Sequence, residues 1–546
     1  MSETKTSSKL NPELIQFLED SDSYFYGPES VEHIQTHISH VFIAAPFVYK
    51  IKKPVNFDFL DFSSLDKREY YCKREVELNR RLCEDIYLGV VSIASVGSTF
   101  KIEADNESSI VEYAVKMRKL NEEYFLPAFI ERGELTLQHL DRVAEKLAAF
   151  YLGQAPKEEI LKWGGIEKVR FNTDENFRQT KPFIGETIDK NSYRAIKEYT
   201  DQYYDRFDYL FRRRIEEKRI VDGHGDLHLE HIHITPEKVR IYDCIEFNNR
   251  FRFGDTAVDL AYLAMDLDFA GCRKEERYFL EKMSQQLQDP DLLAHVDFYK
   301  CYRAYVKGKV KSLQAGEEEV EKEDRKTAID KAREYFDLSL RYALLGSRPT
   351  VLIFMGRIAT GKSTLAEAFS NKLGLDHFSS DRIRKQLMGV PLEERTDASR
   401  REQMYSRDMS LKTYKELRSR AEEYIEARNS VILDATYSRE EDRSRLVELL
   451  ESVDAAYYFV EARASDELIT ERLKARESED GVVSDARLED FEKLIQHYQP
   501  PEELSSNKLI GVDTERSKDE SLYRLYRKLI EGNLEMLNNS LLDKAK

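Results

Sequence analysis

The chain has 546 residues, of which 41% are hydrophobic, including 31 tyrosines and 28 phenylalanines, so two or more hydrophobic cores and domains are expected. Its formal net charge of -17 disfavours a protein that wraps nucleic acid through a basic face, although a local basic groove stays open. Scattered cysteines, a polar N-terminus and apolar runs too short for a membrane span predict a soluble cytoplasmic protein without a membrane partner.

The first part of the chain reads as strands, in the runs "HVFIAAPFVYKIKK", "LGVVSIA" and "SIVEYAVKMRKL". Helical patterns follow, from Arg142 and again across residues 192–219. Strands followed by helices predict an α+β unit. Within "FVYKIKK" the side chains of a strand alternate, so Lys50 and Lys52 are expected on the same face.

The stretch "HGDLHLEHIHI", which begins at His224, surrounds Asp226 with histidines. It resembles the catalytic loop of aminoglycoside phosphotransferases and choline-kinase-like enzymes, typically HGDxxxxN. The resemblance covers about residues 25–312 and implies a protein-kinase-like α+β fold. It implies that Asp226 is the catalytic base, which positions and deprotonates a substrate hydroxyl beside ATP.

The same resemblance implies roles for residues on either side of this loop. One of Lys50 and Lys52 would pair with the α- and β-phosphates of ATP, and Lys50 is favoured because it sits as the lysine of V-A-I-K does. Glu75 in "KREVELNRRL" would fix that lysine, and the strand "EYAVKMRKL" would meet adenine. Asp243 in "VRIYDCIEFN" corresponds to the aspartate that binds Mg²⁺. In the family, the acids that match Asp255 and Asp259 mostly hold the catalytic loop in place.

One position departs from the family's motif, because His231 stands where an asparagine would bind the second Mg²⁺. The imidazole of His231 could coordinate a metal, but it is a poorer ligand for Mg²⁺ than for Mn²⁺. We therefore expect one metal held by Asp243 to suffice, with a lower rate or a preference for Mn²⁺. A pseudokinase is the alternative. A zinc cluster of His224, His228, His231 and His233 is a minor alternative, because the spacing is not that of known zinc motifs.

A change of pattern marks the predicted domain boundary. A charged helical pattern runs through residues 301–345, "GSRPT" then interrupts it, and strands alternate with helices afterwards. We therefore predict a kinase-like domain over residues 1–348, with residues 301–345 as its helical end segment. Residues 349–546 are predicted to form an α/β P-loop domain with a parallel sheet.

The stretch "VLIFMGRIATGKSTLAEAF" is an apolar strand, a GxxxxGKS loop and an amphipathic helix. Backbone N–H groups of such a loop wrap phosphate oxygens at the helix N-terminus. Lys362 would reach the β- and γ-phosphates, and Ser363 would hold Mg²⁺. The nucleotide-binding residues predicted here are Gly356, Arg357, Ile358, Ala359, Thr360, Gly361, Lys362, Ser363 and Thr364.

Two carboxylates are expected where later strands end: Asp381 in "LDHFSSDRIRKQL" and Asp434 in "SVILDATYSREEDR". Ligands of open α/β sheets lie at that edge, so one carboxylate could support Mg²⁺ while the other accepts a hydroxyl proton. Arg472 and Arg476 share a helical face in "ITERLKARES" and could clamp phosphate charge. A solvated helix face with glutamate partners is the alternative for the two arginines.

These features resemble P-loop kinases related to polynucleotide kinase, gluconate kinase and zeta-toxin-like proteins, over about residues 349–512. The resemblance implies that Asp381 is the hydroxyl-activating base, that Arg384 contacts the substrate or a phosphate, and that Asp434 lies near Mg²⁺. It also makes Arg472 and Arg476 lid arginines. The guanine-reading sequence NKxD is missing, which favours ATP over GTP.

The chain as a whole resembles a branch in which the two kinase-like domains are fused. We therefore predict a bifunctional, ATP-dependent and Mg²⁺-dependent phosphotransferase that transfers γ-phosphoryl groups to a hydroxyl of a small molecule. The alternatives are an N-terminal pseudokinase that regulates the P-loop half, or a P-loop half that acts on a nucleotide or a nucleic-acid 5′ end. The sequence names neither the acceptor nor an oligomeric state.

Overall fold

The computed structural model describes residues 9–544, except residues 58, 105–108, 318–319, 393–397, 454 and 478–496. Its strands are β1 (Val31–Gln35), β2 (Ser39–Ala44), β3 (Phe47–Lys52), β4 (Asn56–Phe57), β5 (Leu60–Asp61), β6 (Tyr87–Val96), β7 (Thr99–Ile102), β8 (Ile110–Arg118), β9 (Ile220–Asp222), β10 (Ile232–Ile234), β11 (Val239–Ile241), β12 (Phe253–Asp255), β13 (Thr350–Met355), β14 (Asp376–Ser379), β15 (Val431–Asp434), β16 (Ala456–Arg463) and β17 (Leu509–Asp513).

Its α-helices are α1 (Pro12–Glu19), α2 (Leu65–Asn79), α3 (Leu126–Glu131), α4 (Leu137–Leu152), α5 (Glu158–Leu161), α6 (Ile166–Thr180), α7 (Lys190–Glu216), α8 (Asn249–Arg252), α9 (Thr256–Phe269), α10 (Arg273–Gln286), α11 (Leu292–Ala315), α12 (Lys322–Leu345), α13 (Lys362–Leu373), α14 (Ser380–Met388), α15 (Ala398–Met404), α16 (Arg407–Glu426), α17 (Glu440–Ser452), α18 (Asp466–Glu477) and α19 (Lys518–Lys544). Across the described ranges, the helices are too short or too polar to cross a membrane.

The chain divides into two compact units, each built from two segments. The first unit consists of Met1–Arg170 and Asp208–Val296, and the second of Phe171–Phe207 and Asp297–Lys546. The second unit thus combines the P-loop sheet with helices that precede it in the chain.

Charged contacts tie those helices to the P-loop helix. At the C-terminal end of α13, Lys372 bonds to Asp189, at 2.7 Å, and to Asp337 of α12. The segment of residues 301–345 therefore packs with the P-loop half. A boundary near Arg348 stays a prediction about which segments fold independently.

The main sheet of the first unit is antiparallel, in the order β1-β2-β3-β8-β6-β7. Alternation along β3 buries Tyr49 and Ile51 in the core that also contains Leu14 of α1. Lys50 and Lys52 consequently lie on the opposite face, where both bond to one glutamate of α2. The prediction that the two lysines share a face is confirmed.

The sheet of the second unit is parallel throughout, in the order β14-β15-β13-β16-β17. The central strand β13, "TVLIFM", is buried along its whole length, as expected for a parallel strand covered on both faces. The predicted fold class is therefore confirmed: an α+β kinase-like part precedes an α/β P-loop part with a parallel sheet.

A buried ion network holds the helical part of the first unit together. Arg214 of α7 donates two hydrogen bonds to Asp255, at 2.6 and 2.8 Å, and contacts both oxygens of Asp289 at 2.6 Å. All three side chains are at most 2% exposed. Removing the guanidinium would leave two carboxylates buried without their cation.

We predict that Arg214→Met lowers the free energy of unfolding by roughly 3–5 kcal/mol, the usual cost of breaking a buried ion pair. The matched control is Arg212→Met, because Arg212 is on the same helix and 73% exposed, where it pairs with Asp208. The control should change the free energy of unfolding by no more than about 0.5 kcal/mol. Urea denaturation followed by circular dichroism measures both, and equal effects would contradict the assigned role.

Candidate active sites

In the first unit, a lysine, a glutamate and an aspartate meet beside the open face of β3. Lys50 Nζ lies 3.0 Å from Glu75 Oε1 and 2.5 Å from Asp243 Oδ1. Glu75 is fully buried, whereas the Asp243 side chain is 36% exposed. Burial alone would raise the pKa of Asp243, but the charges of Lys50 and His231 more than offset it and lower that pKa to about 2.

A second lysine, which the sequence offered as the less favoured candidate for the phosphate-binding role, binds the same glutamate. Lys52 Nζ bonds to Glu75 Oε2 at 2.7 Å and to Glu246 Oε1, and all three side chains are buried. Asn79 adds a further link, because its amide donates to the Glu75 carbonyl oxygen and its Oδ1 accepts from Cys244 N. The one available signal was Glu246 itself, an acid in the otherwise apolar run after Asp243.

The loop that carries Asp226 is held by an aspartate of α9. Asp259 accepts hydrogen bonds from the backbone N–H groups of His224 and Gly225, both at 2.7 Å, and from the Tyr151 hydroxyl at 2.9 Å. This is the role that the resemblance implied. The loop is tightly confined there, because a Cβ on Gly223 would lie 2.7 Å from Asp259 Oδ2.

His231 lies between the two carboxylates of this site. Its Nδ1 is 2.8 Å from the Asp226 carbonyl oxygen and 3.8 Å from Asp226 Oδ2, while its Nε2 is 3.7 Å from Asp243 Oδ2. The structure therefore brings together the predicted residues Lys50, Glu75, Asp226, His231 and Asp243. The exposed oxygens of Asp243 are hard donors that fit Mg²⁺, and the imidazole is a donor that fits Mn²⁺ better.

The remaining histidines of the loop have separate partners. His224 Nε2 donates to the Tyr242 carbonyl oxygen at 2.9 Å, and burial lowers the pKa of His224 to about 4. His233 Nε2 lies 3.1 Å from the Asn121 carbonyl oxygen. Within the ranges that the structure describes, no three His, Cys, Asp or Glu side chains are grouped to hold a metal, so the zinc cluster does not form.

His228 is the histidine that contacts the predicted base directly. Its Nε2 lies 2.9 Å from Asp226 Oδ1, and its Nδ1 lies 3.1 Å from Asp266 Oδ2. Burial would raise the pKa of Asp226, but the charge and hydrogen bond of His228 lower it well below its ordinary value. Sequence reasoning gave His228 no role, although it lies only two residues after Asp226.

In the second unit, the P-loop connects β13 to α13. Gly356, Ala359 and Gly361 have positive φ angles of 137°, 58° and 90°. A Cβ on Gly356 would lie 2.6 Å from the Ala462 carbonyl oxygen, so only glycine fits there. Lys362 is half-exposed at the first turn of α13, Ser363 and Thr364 are exposed, and among the described residues Lys362 has no hydrogen-bond or ion-pair partner.

Side chains from later in the chain fix the shape of this loop. Thr514 Oγ1 donates to the Thr360 carbonyl oxygen at 2.6 Å. Arg472 Nη1 lies 3.3 Å from the Ala359 carbonyl oxygen, and its Nη2 donates to the Thr514 carbonyl oxygen at 2.7 Å. Arg357 donates to Asp466 at 2.7 Å, and Ile358 packs against α18. Arg472 thus braces the loop instead of lying on a solvated helix face.

The two predicted carboxylates of this unit lie at the same sheet edge as the loop. In the parallel register, Asp434 pairs with Phe354 of β13 on one side and with Ser379 of β14 on the other. Asp381 lies in the first turn of α14, with its side chain 25% exposed and Oδ1 3.1 Å from Arg384 Nη1. The structure therefore gathers the P-loop, Asp381 and Asp434 at one edge.

Asp434 is a buried carboxylate whose surroundings fit a cation. Its side chain is 1% exposed, and neither oxygen has a hydrogen-bond partner among the described residues. His377 Nε2 lies 3.5 Å from Asp434 Oδ2. Burying a carboxylate without donors is costly, and carboxylate oxygens are ligands that suit a divalent cation.

The other predicted lid arginine, Arg476, lies within α18, and its side chain is outside the described residues. Its expected role at phosphate therefore stays a prediction. The phosphate-clamping role of Arg472 also stays a prediction. Its guanidinium does lie close to the P-loop, since a Cβ on Gly361 would be 3.4 Å from Arg472 Nη1.

One family model and several relatives match this chain. The model of a family described as "AAA domain" matches residues 351–501. An uncharacterized protein of Mycobacterium tuberculosis is 29% identical over 444 residues, which cover 81% of this chain and 85% of the relative, and a Mycobacterium bovis protein matches to the same extent.

Solved structures similar to parts of the chain include two kinases. A choline kinase from Cryptosporidium parvum is 12% identical and covers 57% of this chain and 88% of its own, with a TM-score of 0.37. A gluconokinase from Sinorhizobium meliloti is 18% identical and covers 36% of this chain and 97% of its own, with a TM-score of 0.25. The fold assignment rests on the strand order and the site geometry above.

We predict that Lys362→Ala weakens binding of ATP·Mg²⁺ to the second unit by at least about tenfold, because it removes the cation that would contact the β- and γ-phosphates. The matched control is Lys372→Ala at the other end of α13, which should leave nucleotide affinity nearly unchanged. Titration of the full chain with a fluorescent ATP analogue, fitted to two binding sites, measures both. Equal affinities for Lys362→Ala and the unsubstituted protein would contradict the P-loop assignment.

Proposed function

We propose that the chain is an ATP-dependent phosphotransferase with two sites, each of which transfers a γ-phosphoryl group to a hydroxyl of a small molecule. The observation that carries the proposal is the repeated arrangement of a phosphate-binding lysine beside two aspartates. Lys50 accompanies Asp226 and Asp243 in the first unit, and Lys362 shares a sheet edge with Asp381 and Asp434 in the second. Such sets position reactants and stabilise phosphoryl charge.

At the first site, Lys50 would leave Asp243 for the α- and β-phosphates of ATP, while Glu75 continues to orient it. Asp243 would hold a divalent cation, which neutralises charge on the phosphates. Asp226 would accept the proton of the acceptor hydroxyl as the new P–O bond forms and the bond to the leaving β-phosphate oxygen breaks. The 30% exposure of Asp226 supports this role, since an acceptor can reach it.

At the second site, the backbone of residues 356–364 would wrap the phosphates, and Lys362 would reach the β- and γ-phosphates. Asp434 and Ser363 would hold Mg²⁺, which is supported by the buried Asp434 carboxylate, whose oxygens accept no hydrogen bond within the described ranges. Asp381 is the more exposed of the two acids and would accept the acceptor's proton.

A pseudokinase in the first unit is the second candidate function, and the position of His231 favours it. The imidazole lies within 4 Å of both carboxylates, so it competes with a second cation for the same space. In that case only the P-loop site would turn over ATP, and the first unit would regulate it.

We predict that Asp226→Asn, in a full-length chain carrying Lys362→Ala to silence the P-loop site, lowers ATP turnover by the ~10²–10⁴ typical of a lost general base, without weakening ATP binding. In the same background, His231→Asn should shift the metal preference from Mn²⁺ toward Mg²⁺. ADP release measures both, with a broad library of hydroxyl compounds as acceptors. Turnover that does not depend on Asp226 would favour the pseudokinase.

We predict that Asp381→Asn, in a full-length chain carrying Asp226→Asn, leaves Mg²⁺-dependent ATP binding nearly intact while transfer falls by ~10²–10⁴. Asp434→Asn should instead raise the Mg²⁺ concentration required for half-maximal activity, because it removes a buried charge that would face the cation. Initial rates across a Mg²⁺ titration separate the two variants. The reverse pattern would mean that the two carboxylates exchange roles.

A further inference from the structure

The predicted base of the first site, Asp226, is the outermost of three polar side chains that contact one another in a row. Asp226 Oδ1 lies 2.9 Å from His228 Nε2, and Asp266 Oδ2 lies 3.1 Å from His228 Nδ1. The exposed fractions of the side chains fall from 30% for Asp226 to 13% for His228 and 9% for Asp266. The row of contacts thus leads from the open site to the side of α9.

The inner end of this row is anchored. Asp266 Oδ2 also accepts a hydrogen bond from Leu229 N at 3.4 Å, and the His228 ring packs against Tyr262 with 4.3 Å between ring centroids. Asp259, two helical turns before Asp266 on α9, binds the N–H groups at the start of the same loop. A single helix therefore fixes both the loop backbone and the imidazole that reaches the base.

The hydrogen-bond capacity of the three groups defines the arrangement. Ionised carboxylates only accept hydrogen bonds, so an imidazole that bonds to both of them donates from both nitrogens. Asp226 Oδ1 is then engaged, and Oδ2 is the oxygen left to meet a hydroxyl. Without the imidazole, the carboxylate could rotate about its Cβ–Cγ bond.

We infer that His228 and Asp266 are positioning residues for phosphoryl transfer at the first site, which hold Asp226 so that its Oδ2 receives the acceptor's proton. This inference rests on the proposed function of that site. During transfer, the acceptor O–H proton moves to Oδ2, the acceptor oxygen bonds to the γ-phosphorus, and ADP leaves with the electron pair of the broken P–O bond. His228 itself neither gains nor loses an atom.

Two substitutions of His228 separate positioning from simple anchoring of the loop. His228→Gln places an N–H donor near the position of Nε2 and can still bond to Asp226. His228→Asn places its donor near the position of Nδ1, so it keeps the bond to Asp266 and loses the one to Asp226. An anchoring role alone predicts that asparagine is the better replacement, whereas positioning predicts that glutamine is.

The experiment uses the full-length chain carrying Lys362→Ala, with water as the acceptor and ADP release as the readout. We expect His228→Gln to retain turnover within about tenfold and His228→Asn to lose roughly 10²-fold, as for a misplaced catalytic group, with the KM for ATP unchanged in both. If asparagine is as active as glutamine or more active, His228 only anchors the loop and the inference is wrong.

A second measurement does not depend on activity. In protein labelled with ¹⁵N-histidine, Asp226→Asn and Asp266→Asn should each shift the ring resonances of His228, while those of the exposed His37 stay in place. If the parent chain shows no Asp226-dependent ADP release, the proposed function of this site fails. The resonances still test whether His228 contacts the two aspartates. Unshifted His228 signals overturn the inference, and shifted signals support the contacts of His228 with Asp226 and Asp266.

Discussion

The first site depends on one buried negative charge, the carboxylate of Glu75. A carboxylate that is completely removed from water must be neutralised nearby, and two lysines of one strand do this together. Because the two lysines lie on β3, Glu75 on α2 and Glu246 just after Asp243, the same requirement ties three separate segments into one fixed arrangement. Lys52 is held between Glu75 and Glu246, whereas Lys50 shares Glu75 with the partly exposed Asp243, so under the proposed function Lys50 is the lysine that would turn to a phosphate.

The second site differs from the first in how its buried carboxylate is neutralised. Its phosphate-binding groups are the backbone amides of the P-loop, in which position 356 has room only for glycine. Arg472 and Thr514, which follow the P-loop in the chain, hold this loop in place through hydrogen bonds. Its negative charge, Asp434, lies at the end of β15 and accepts no hydrogen bond from the part of the chain that the structure describes, although His377 Nε2 is 3.5 Å away. The first unit thus neutralises its acids internally, while the second presents an acid that suits an external cation.

The P-loop and the facing of the two lysines could be predicted from the sequence because their signals are local. The strand, loop and helix around Lys362 follow one another without interruption, and the alternation in "FVYKIKK" sets the facing of Lys50 and Lys52. The partners of those residues were harder to foresee. Glu246, Asp266 and Thr514 meet their partners across 194, 38 and 154 residues, so their roles depend on tertiary packing, and no local periodicity encodes them. The grouping of residues 171–207 and 301–345 with the P-loop sheet had no local signal either, because charged helical patterns do not specify which sheet they will pack against.

The position of His231 affects the charge balance of the first site before any ligand binds. Two carboxylates facing one cleft repel each other, and kinase-type sites commonly rely on a bound cation to relieve that repulsion. Here an imidazole and a lysine already lie between and beside them. The cleft is therefore internally compensated, and its geometry can persist where divalent cations are scarce.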